Sequence, residues 1–502
     1  MLRALSTGRE AAEGGNWGRI AAPRCGPAAR RVGRNAGAGT GRDAARAIGW
    51  STVPEKRTSG LGRAASDARA LADLEERSYW QATMPGLPSY AGRPLPDAVD
   101  VLVVGGGYTG LSAARRAAEL GATTVVAEAE TLGWGASTRN GGMCHPGFKW
   151  GPRQLIRRHG ESLGRRLYLD SVEAFEHVAE LCRTKVEAGF VRSGHLELAF
   201  APAHAAAFPT TAEVLAAFDV PARAVPRHEL HAEIGTDAYF GGLVVDRSGG
   251  LHPGKLLAGL ARLAADAGVA LHEHVRVRRI RRERDGRFTV ETAGGVVRAR
   301  DVIVATNGYT DGAAPAIRRR ILPISSYIIV TEPLPADLAR EISPNDRMFF
   351  DTKNFLYYWR LTPDRRVLFG GRASMWPTTV GRTAAILHRG MLRVHPQLAG
   401  VRVAYAWGGK VGFTFDRMPH VGRTGGVAYA VGCCGSGVAI LPWLGERVAE
   451  WVGGGAPPAL AALRFPLVPA PYEGRAWFLP LAGEWWKTKD RLAARSREGA
   501  GG

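Results

Sequence analysis

A glycine-rich turn between an apolar strand and a helix is the feature that most constrains this chain. Residues 101–104, VLVV, are predicted to form a buried strand. Glycines follow it with the spacing GxGxxG, at Gly105, Gly107 and Gly110. Residues 111–120 are then predicted to form a helix. Strand, turn and helix in this order predict the first half of a βαβ unit, for which a lone glycine motif would be weak evidence.

The second half of the unit supplies a carboxylate. Residues 123–127 are predicted to form a second strand, and Glu128 follows it. In such a unit the glycines permit a tight turn, close approach of backbone amides to a pyrophosphate, and close packing of the helix. The phosphates lie at the helix N-terminus, where unpaired N–H groups and the helix dipole favour an anion. Glu128 suits the two hydroxyls of an adenosine ribose and would repel a 2′-phosphate, which predicts FAD or NAD rather than NADP.

A second glycine-rich segment, residues 133–142, decides between those two cofactors. Its predicted cofactor contacts are Ser137, Arg139, Asn140, Gly141 and Gly142. A loop of this kind brings backbone donors and one cation along an extended cofactor. An NAD site does not need such a loop, so we expect FAD.

The segment GWGASTRNGG within this loop resembles the GxGASGRNGG element of the D-amino-acid oxidase superfamily, in its gamma-glutamylputrescine oxidoreductase branch. The resemblance covers roughly residues 78–492. It implies an FAD enzyme that oxidises a C–N bond of an amine or amino-acid derivative. Hydride would pass to flavin N5, and water would hydrolyse the resulting imine.

The resemblance also implies cofactor contacts in two later segments. The backbone of Val277 would meet the adenine, and Thr306 and Gly308 would form a turn of the ATxG type. Near the carboxyl end, a strand is predicted to deliver a glycine-rich turn to a helix N-terminus, which would stabilise negative charge on reduced flavin. The contacts predicted in that turn are Gly432, Gly435, Ser436 and Gly437.

The expected fold is α/β, with a discontinuous Rossmann-like FAD-binding domain and an inserted α+β substrate domain that carries a largely antiparallel sheet. Alternating stretches such as HLELAF, SSYIIVTE and RRVLFGG predict the antiparallel strands. The predicted parts are a disordered basic extension, 1–70; a lead-in segment, 71–97; the FAD-binding domain, 98–150, 241–317 and 402–455; the substrate domain, 151–240 and 318–401; and a C-terminal extension, 456–502.

Three residues are candidates for the catalytic site, each with an alternative role. Arg139 would steady reduced flavin or a substrate carboxylate, or else bridge backbone carbonyls in its own loop. Tyr358 lies where the related glycine oxidases place a substrate-binding tyrosine, or else is an ordinary cross-strand aromatic. Lys410 would be a cation near the flavin or the substrate. Arg360 and Arg372 share the hairpin of Tyr358, and either is more often a solvated cation on a strand face.

Two positions depart from the resemblance. Val411 stands where glycine oxidases carry an arginine that clamps the substrate carboxylate, which argues against a plain α-amino acid. Ser436 stands where the family's SGHG turn has histidine. Because Val411 replaces the arginine, the favoured substrate is a gamma-glutamylputrescine-like amine. His252 is expected to be a turn or cap residue rather than a base.

Other functions stay open at this point. The chain could be a glycine, sarcosine or D-amino-acid oxidase, or a dehydrogenase that passes electrons to a carrier other than oxygen. It could also be a non-catalytic FAD-binding protein or an RNA-modifying flavoprotein. The expected partners are a small amine or amino-acid substrate and oxygen or another electron acceptor.

Composition narrows these classes further. The formal net charge is +20, but residues 1–70 alone hold 13 Lys or Arg against five Asp or Glu, so no nucleic-acid partner is expected. Five cysteines without a CxxC spacing favour a reduced, cytoplasmic protein, and no His/Cys spacing predicts a metal site. The stretch 425–445 lacks charge, but its glycines and Pro442 argue against a membrane span.

Overall fold

Two large sheets, one mostly parallel and one mostly antiparallel, organise the chain. The structure is a computed structural model that describes residues 67, 69–376, 378–469, 472–474 and 476–498. Its helices are α1 Tyr79–Thr83, α2 Tyr108–Glu119, α3 Pro152–His159, α4 Glu161–Thr184, α5 Pro202–Ala206, α6 Phe208–Ala216, α7 Pro253–Asp266, α8 Pro315–Arg318, α9 Ala336–Ile342, α10 Val380–Val394, α11 Gly437–Val452 and α12 Leu479–Glu498. Its strands are β1 Ala98–Val104, β2 Thr124–Ala127, β3 Met143–Cys144, β4 His195–Leu198, β5 Ala222–Pro226, β6 Gly241–Val245, β7 Gly249–Gly250, β8 Ala270–His272, β9 Val277–Arg282, β10 Phe288–Thr292, β11 Gly295–Val304, β12 Leu322–Thr331, β13 Met348–Asp351, β14 Tyr357–Leu361, β15 Val367–Gly371, β16 Val403–Phe413, β17 His420–Thr424 and β18 Val427–Val431.

The first sheet contains the predicted βαβ unit. Strands β18, β11, β1, β2 and β8 lie side by side and parallel, in that order. Strand β17 pairs antiparallel at one edge, and β9 and β10 extend the sheet antiparallel from β11. Both faces of β1 are covered, because Val101 and Val103 pack in the core with α2, α7 and α11, whereas Leu102 and Val104 pack in the core with β9 and β10. This explains the uninterrupted apolar run of that strand.

Helix α2 begins earlier than predicted. The apolar periodicity predicts a start at Leu111, but the helix runs from Tyr108. The last residues of the GxGxxG motif therefore form the first helical turn. The helix ends at Glu119, and Gly121 has φ 88°, as the predicted stop requires.

The second sheet has the order β16-β12-β15-β14-β13-β4-β6-β5. All of its neighbours are antiparallel except β13 and β4. Helix α10 packs on one face, where Leu387 and Met391 meet Ile329, Trp359 and Phe369. The opposite face of β12, β14 and β15 packs on Tyr79 and Trp80 of α1. The α/β architecture with a largely antiparallel second sheet is as predicted.

Two strands pair differently from the predicted division of the chain. Strands β6 and β16 fall in stretches 241–317 and 402–455, which were predicted to belong to the FAD-binding domain. Yet β6 pairs with β4 and β5, and β16 pairs with β12, all in the antiparallel sheet. The physical reason is that a short apolar strand has no feature of its own that selects its sheet, since the pairing depends on distant segments.

The ends of the chain differ from prediction at one point. The predicted disordered extension, 1–70, includes Asp67, whose carboxylate accepts a hydrogen bond from Arg389 and lies 2.9 Å from His388 Nδ1. Ala70 is buried as well. Asp67 therefore packs against α10, and residues 1–66 and 68 lie outside the described residues. No helix in the described ranges is long and apolar enough to cross a membrane.

Candidate cofactor and substrate site

Three glycine turns and one carboxylate meet at a single edge of the parallel sheet. The carboxyl ends of β18, β11, β1 and β2 lie next to one another in that order. They lead into residues 432–437, 305–308 and 105–110, and into Glu128, respectively. In open α/β sheets this edge is where ligands bind. The structure thus brings the main predicted cofactor residues together.

The first turn has no room for side chains. Gly105 has φ 102°, which favours glycine. A Cβ on Gly110 would lie 1.8 Å from the carbonyl oxygen of Gly105, so the helix packs directly on the turn. A Cβ on Gly107 would lie 2.9 Å from Ser137 Oγ and would fill the space between the two glycine segments. All three glycines are therefore required for close approach.

Backbone amides at this helix N-terminus are free to bind an anion. Tyr108 N donates to Ser137 Oγ at 3.1 Å. Within the described part of the chain, the amides of Gly107 and Thr109 have no acceptor. Unpaired amides of a helix first turn, together with the helix dipole, form an anion site. The arrangement therefore fits a pyrophosphate.

Glu128 is held at the end of β2 by two backbone amides. Gly106 N donates to Glu128 Oε2 at 2.7 Å, and Glu130 N donates to Glu128 Oε1 at 2.9 Å. A carboxylate has about four acceptor sites, so lone pairs remain for a diol. The carboxylate is half-buried and fixed in position. Its geometry fits the predicted ribose contact.

The second glycine segment is supported from outside by α1. Trp80 is fully buried and its Nε1 donates to Asn140 O at 2.7 Å. Ser78 Oγ donates to Thr138 O at 2.6 Å. Asn140 Oδ1 accepts from Gly142 N at 2.8 Å and closes the loop on itself. The predicted lead-in segment therefore supports the loop, a role that its sequence did not indicate.

Arg139 bridges two backbone carbonyls. Its Nε donates to Trp134 O at 2.7 Å, and its Nη1 donates to Gly408 O at 3.1 Å. The guanidinium also lies 5.4 Å from the centre of the Trp134 ring. These contacts match the alternative role considered for this residue, and they tie the glycine loop to β16. A flavin contact stays a prediction.

Asn307 joins the two remaining turns, and sequence reasoning missed it. It has φ 43°, and its Oδ1 accepts from Gly432 N at 2.8 Å. Its neighbour Thr306 pairs through Oγ1 with Thr310 Oγ1 at 2.8 Å. A Cβ on Gly308 would lie 3.0 Å from Gly412 N, so this turn packs on β16. Asparagine adopts the left-handed backbone conformation more readily than most residues, so the asparagine of the ATNG segment was the clue that the sequence offered.

The carboxy-terminal turn leads into α11 as predicted. Gly432 and Gly435 have φ 79° and 103°, and Ser436 precedes the helix, which begins at Gly437. In the described ranges, the amides of Gly437 and Val438 have no acceptor. A second helix N-terminus with unpaired donors therefore faces the same region as the first.

Val277 begins β9, and its side chain is buried in the core behind the parallel sheet. Two residues earlier, Val275 N donates to Glu128 O at 2.8 Å, so this segment passes beside the carboxylate. The predicted backbone contact with adenine stays a prediction.

Tyr358 lies between the antiparallel sheet and the second glycine segment. Its hydroxyl is 3.0 Å from Ser326 Oγ, and its ring is 3.1 Å from where a Cβ on Gly141 would lie. Gly370 opposite it has no room for a side chain, because a Cβ there would lie 2.3 Å from the ring. Burial raises the pKa of Tyr358 to about 12, so its hydroxyl stays neutral.

Lys410 lies apart from Tyr358. It is exposed, and its Nζ is 5.5 Å from the centre of the Tyr309 ring. Tyr309 also contacts the edge of the Trp134 ring. Lys410 thus belongs with Arg139 and these two aromatic rings. Val411, next along β16, packs against a core cluster that includes Phe413 and residues of α12.

Arg360 is not the solvated cation that its strand position suggested. It is 7% exposed, and its Nη1 donates to Gly142 O at 3.0 Å and to Leu251 O at 3.1 Å. Burial lowers the pKa of its guanidinium to about 10. Arg360 is two residues from Tyr358 on the same strand face, so it points inward to the glycine loop rather than to solvent.

Two further cations lie near Tyr358. Lys149 was not predicted from the sequence, and Arg372 was expected to be a solvated cation. Lys149 Nζ lies 3.5 Å from where a Cβ on Gly435 would be. Arg372 follows β15, and its Nη1 donates to Asn354 O at 3.0 Å. Burial lowers the pKa of both groups, and for Lys149 the nearby Arg372 is the next largest cause. Lys149 follows the loop in GFKW, where nothing in the sequence separates it from a surface lysine.

In the described ranges no group of three or more His, Cys, Asp or Glu side chains could hold a metal ion. His252 caps α7 as expected: its Nδ1 accepts from Lys255 N at 3.1 Å, and its Nε2 is 2.9 Å from Thr83 Oγ1. Cys144, Cys182, Cys433 and Cys434 are free.

Comparison with known proteins identifies related sequences. Residues 100–451 match the family described as "DAO: FAD dependent oxidoreductase". The chain is 34% identical over 363 residues to "Probable oxidoreductase OrdL" of Haemophilus influenzae, which covers 71% of this chain and 83% of that protein. It is 32% identical over 400 residues to gamma-glutamylputrescine oxidoreductase of Escherichia coli, over 78% of this chain and 93% of that protein.

Solved structures share the fold. Glycine oxidase from Geobacillus kaustophilus superposes with a TM-score of 0.60 at 21% identity, over 76% of this chain and 99% of that one. L-proline dehydrogenase from P. horikoshii superposes with a TM-score of 0.59 at 20% identity, over 73% and 96%. At these identities the likeness concerns the fold alone.

Proposed function

This chain belongs to the DAO family of FAD-dependent oxidoreductases, and from that membership we propose that it oxidises a C–N bond in a gamma-glutamylputrescine-like amine. It is an FAD-dependent enzyme for amine or amino-acid type substrates. The finer substrate assignment is supported by the 32% identity to the Escherichia coli enzyme and by the apolar Val411.

The convergence of three glycine turns at one sheet edge is the observation that supports FAD-dependent oxidation. Glu128 would bind the ribose of FAD, and the amides at Gly107 and Thr109 would bind the pyrophosphate. Gly141 and the turn before α11 would line the place of the isoalloxazine. The absence of Cβ atoms is what makes room for the group along this path.

When bound, FAD supplies the acceptor for the two electrons that leave the C–N bond. The residues of this chain bind and orient the substrate beside it. Tyr358, neutral and hydrogen-bonded to Ser326, would donate or accept one hydrogen bond at the substrate. Trp80 and the closed glycine loop would exclude water from that side. Oxidation yields an imine and releases one proton, and water then splits the imine into a carbonyl compound and an amine.

Val411, on the same antiparallel sheet as Tyr358, supports the substrate class. A short α-amino acid with its carboxylate beside Val411 would lack the arginine that glycine oxidases carry there, which costs several kcal/mol. A longer substrate can place its amino-acid head away from the carbon that reacts. Gamma-glutamylputrescine has an amine at one end and that head at the other.

Anaerobic mixing tests the proposal. Purified protein is mixed without oxygen with gamma-glutamylputrescine, putrescine, glycine, sarcosine or D-alanine, and loss of oxidised-flavin absorbance is followed. We expect gamma-glutamylputrescine to reduce the flavin fastest. Faster reduction by glycine or D-alanine would contradict the substrate assignment and would indicate that the enzyme acts on amino acids. Peroxide formation on admitting oxygen would show that oxygen accepts the electrons.

A further inference from the structure

Two half-buried cations in the site, Lys149 and Arg372, form no ion pair with a described residue. In the described part of the chain, Lys149 forms no ion pair or hydrogen bond, and Arg372 donates only to the carbonyl oxygen of Asn354. Some other buried or half-buried cations are paired, as Lys353 is with Asp351 and Arg347 with Glu233, whereas Arg360 donates to backbone carbonyls. A desolvated charge without a partner costs free energy unless a ligand compensates it. An anionic ligand would supply that compensation for Lys149 and Arg372.

The two cations come from different segments of the chain and lie close enough for Arg372 to lower the pKa of Lys149. Lys149 lies against Gly435, at the turn that leads into α11. Arg372 lies two residues beyond Gly370, so strand alternation puts it on the sheet face that carries Tyr358. Its guanidinium also lies 5.0 Å from the centre of the Phe413 ring. An anion between them would lie near Tyr358 and away from Arg139 and Lys410.

The C-terminal helix fixes the position of Arg372. Asp490 of α12 accepts hydrogen bonds from Asn354 N at 3.0 Å, Asn354 Nδ2 at 2.8 Å and Phe355 N at 2.9 Å. The carbonyl of this same Asn354 accepts from Arg372. Helix α12 lies beyond the family match, which ends at residue 451. Asp490 thus acts on the site through the loop that it holds, and its charge also opposes the lowering of the Arg372 pKa.

We propose that Lys149 and Arg372 together bind an anionic group of the substrate, and that Asp490 is a positioning residue for Arg372. The inference rests on the proposed function and gives its substrate a required feature, a carboxylate.

The test compares two ligands on FAD-loaded protein. One is gamma-glutamylputrescine, and the other is its analogue with the α-carboxylate replaced by a carboxamide. Binding is measured by calorimetry without oxygen, and flavin reduction is measured by rapid mixing. We expect Lys149→Met and Arg372→Met each to weaken binding of the carboxylate ligand about 10- to 100-fold, the range for a charged hydrogen bond. Neither should further weaken the carboxamide, and the limiting reduction rate should stay within about threefold.

Asp490→Ala should weaken binding of the carboxylate ligand about 3- to 10-fold, again without effect on the carboxamide. Glu484→Ala, on the same helix, is the matched control for helix stability, since Glu484 pairs with Lys487 at the surface. Arg183→Met is the control for loss of a cation, because Arg183 is exposed and pairs with Glu180. Both controls should leave binding of the two ligands unchanged.

Three results would overturn the proposal: equal losses for both ligands, altered FAD affinity with unaltered ligand affinity, or controls that behave like the variants. The second would mean that Lys149 and Arg372 serve the flavin instead. Wild-type protein whose flavin neither ligand reduces would refute the proposed function. The calorimetric comparison would still decide whether the two cations bind a carboxylate.

Discussion

The cofactor side and the substrate side of the site are built in different ways. The cofactor side is built mainly from backbone: glycines without room for Cβ atoms and unpaired amides at two helix N-termini line it, together with one carboxylate, Glu128. On the substrate side, side chains from distant segments converge, as Lys149, Tyr358 and Arg372 do. Backbone sites leave a local pattern in the sequence, whereas convergent side chains leave none. The comparison predicts that changes on the two sides have separable effects.

The largest effect is expected for Gly110→Ala on the cofactor side. The new Cβ would lie 1.8 Å from the carbonyl oxygen of Gly105, which is backbone and cannot move aside. We expect a loss of about 3 kcal/mol or more in the free energy of unfolding and loss of bound flavin. Denaturant unfolding and flavin absorbance measure the two. Gly312→Ala is the control, since nothing lies within 4 Å of a Cβ there. Normal flavin content in Gly110→Ala would refute the backbone account.

Glu128→Ala sharpens the comparison next. Removing the carboxylate should weaken FAD binding by on the order of 1.5 to 3 kcal/mol for each charged hydrogen bond lost. Equilibrium binding of FAD to the apoprotein measures it. Glu130→Ala is the matched control, because the Glu130 carboxylate pairs with Arg276 at the surface. Equal losses of FAD affinity in both variants would show that Glu128 has no special role in binding FAD.

The sequence predicted the cofactor side of the site better than the substrate side. The first glycine unit, the loop through Gly142 and the turn before α11 could be predicted, because each is a short pattern with a physical requirement. Arg360 was expected in solvent but is buried, because alternation along a strand does not tell which face meets another layer. Lys149 and Asp490 could not be predicted, since only the assembled fold brings them to the site. Strands β6 and β16 joined the other sheet for a similar reason.

A pH effect is expected where α1 and α7 meet behind the cofactor loop. Burial lowers the pKa of His252 from 6.5 to about 4, so the folded protein keeps it neutral while the unfolded chain protonates it. Between these values the unfolded state binds more protons, so stability should fall as pH falls from about 6.5 to about 4. His252→Asn keeps an acceptor for Lys255 N and does not titrate.

Urea unfolding at pH 7 and pH 5 measures this effect. Wild type should lose more stability between the two pH values than His252→Asn does. His395, whose pKa burial also lowers to about 4, leaves some pH dependence in both proteins. An identical pH dependence in the two proteins would contradict the account of His252.

The smallest effect is expected at Asp67, which belongs to neither side. Asp67 pairs with Arg389 and His388 on α10, on the far face of the antiparallel sheet. Its replacement by asparagine should lower the free energy of unfolding by about 0.5 to 1 kcal/mol. FAD affinity and substrate affinity should both stay unchanged in binding titrations. A shift in either would mean that the site is coupled to this outer contact.

The most direct test of the account is to measure two dissociation constants, for FAD and for gamma-glutamylputrescine, in each of two variants. Glu128→Ala, saturated with FAD, should bind the amine like wild type while its FAD constant rises. Arg372→Met should keep the wild-type FAD constant while its amine constant rises about 10- to 100-fold. A variant in which both constants move together would contradict the separation of a backbone-built cofactor side from a side-chain-built substrate side.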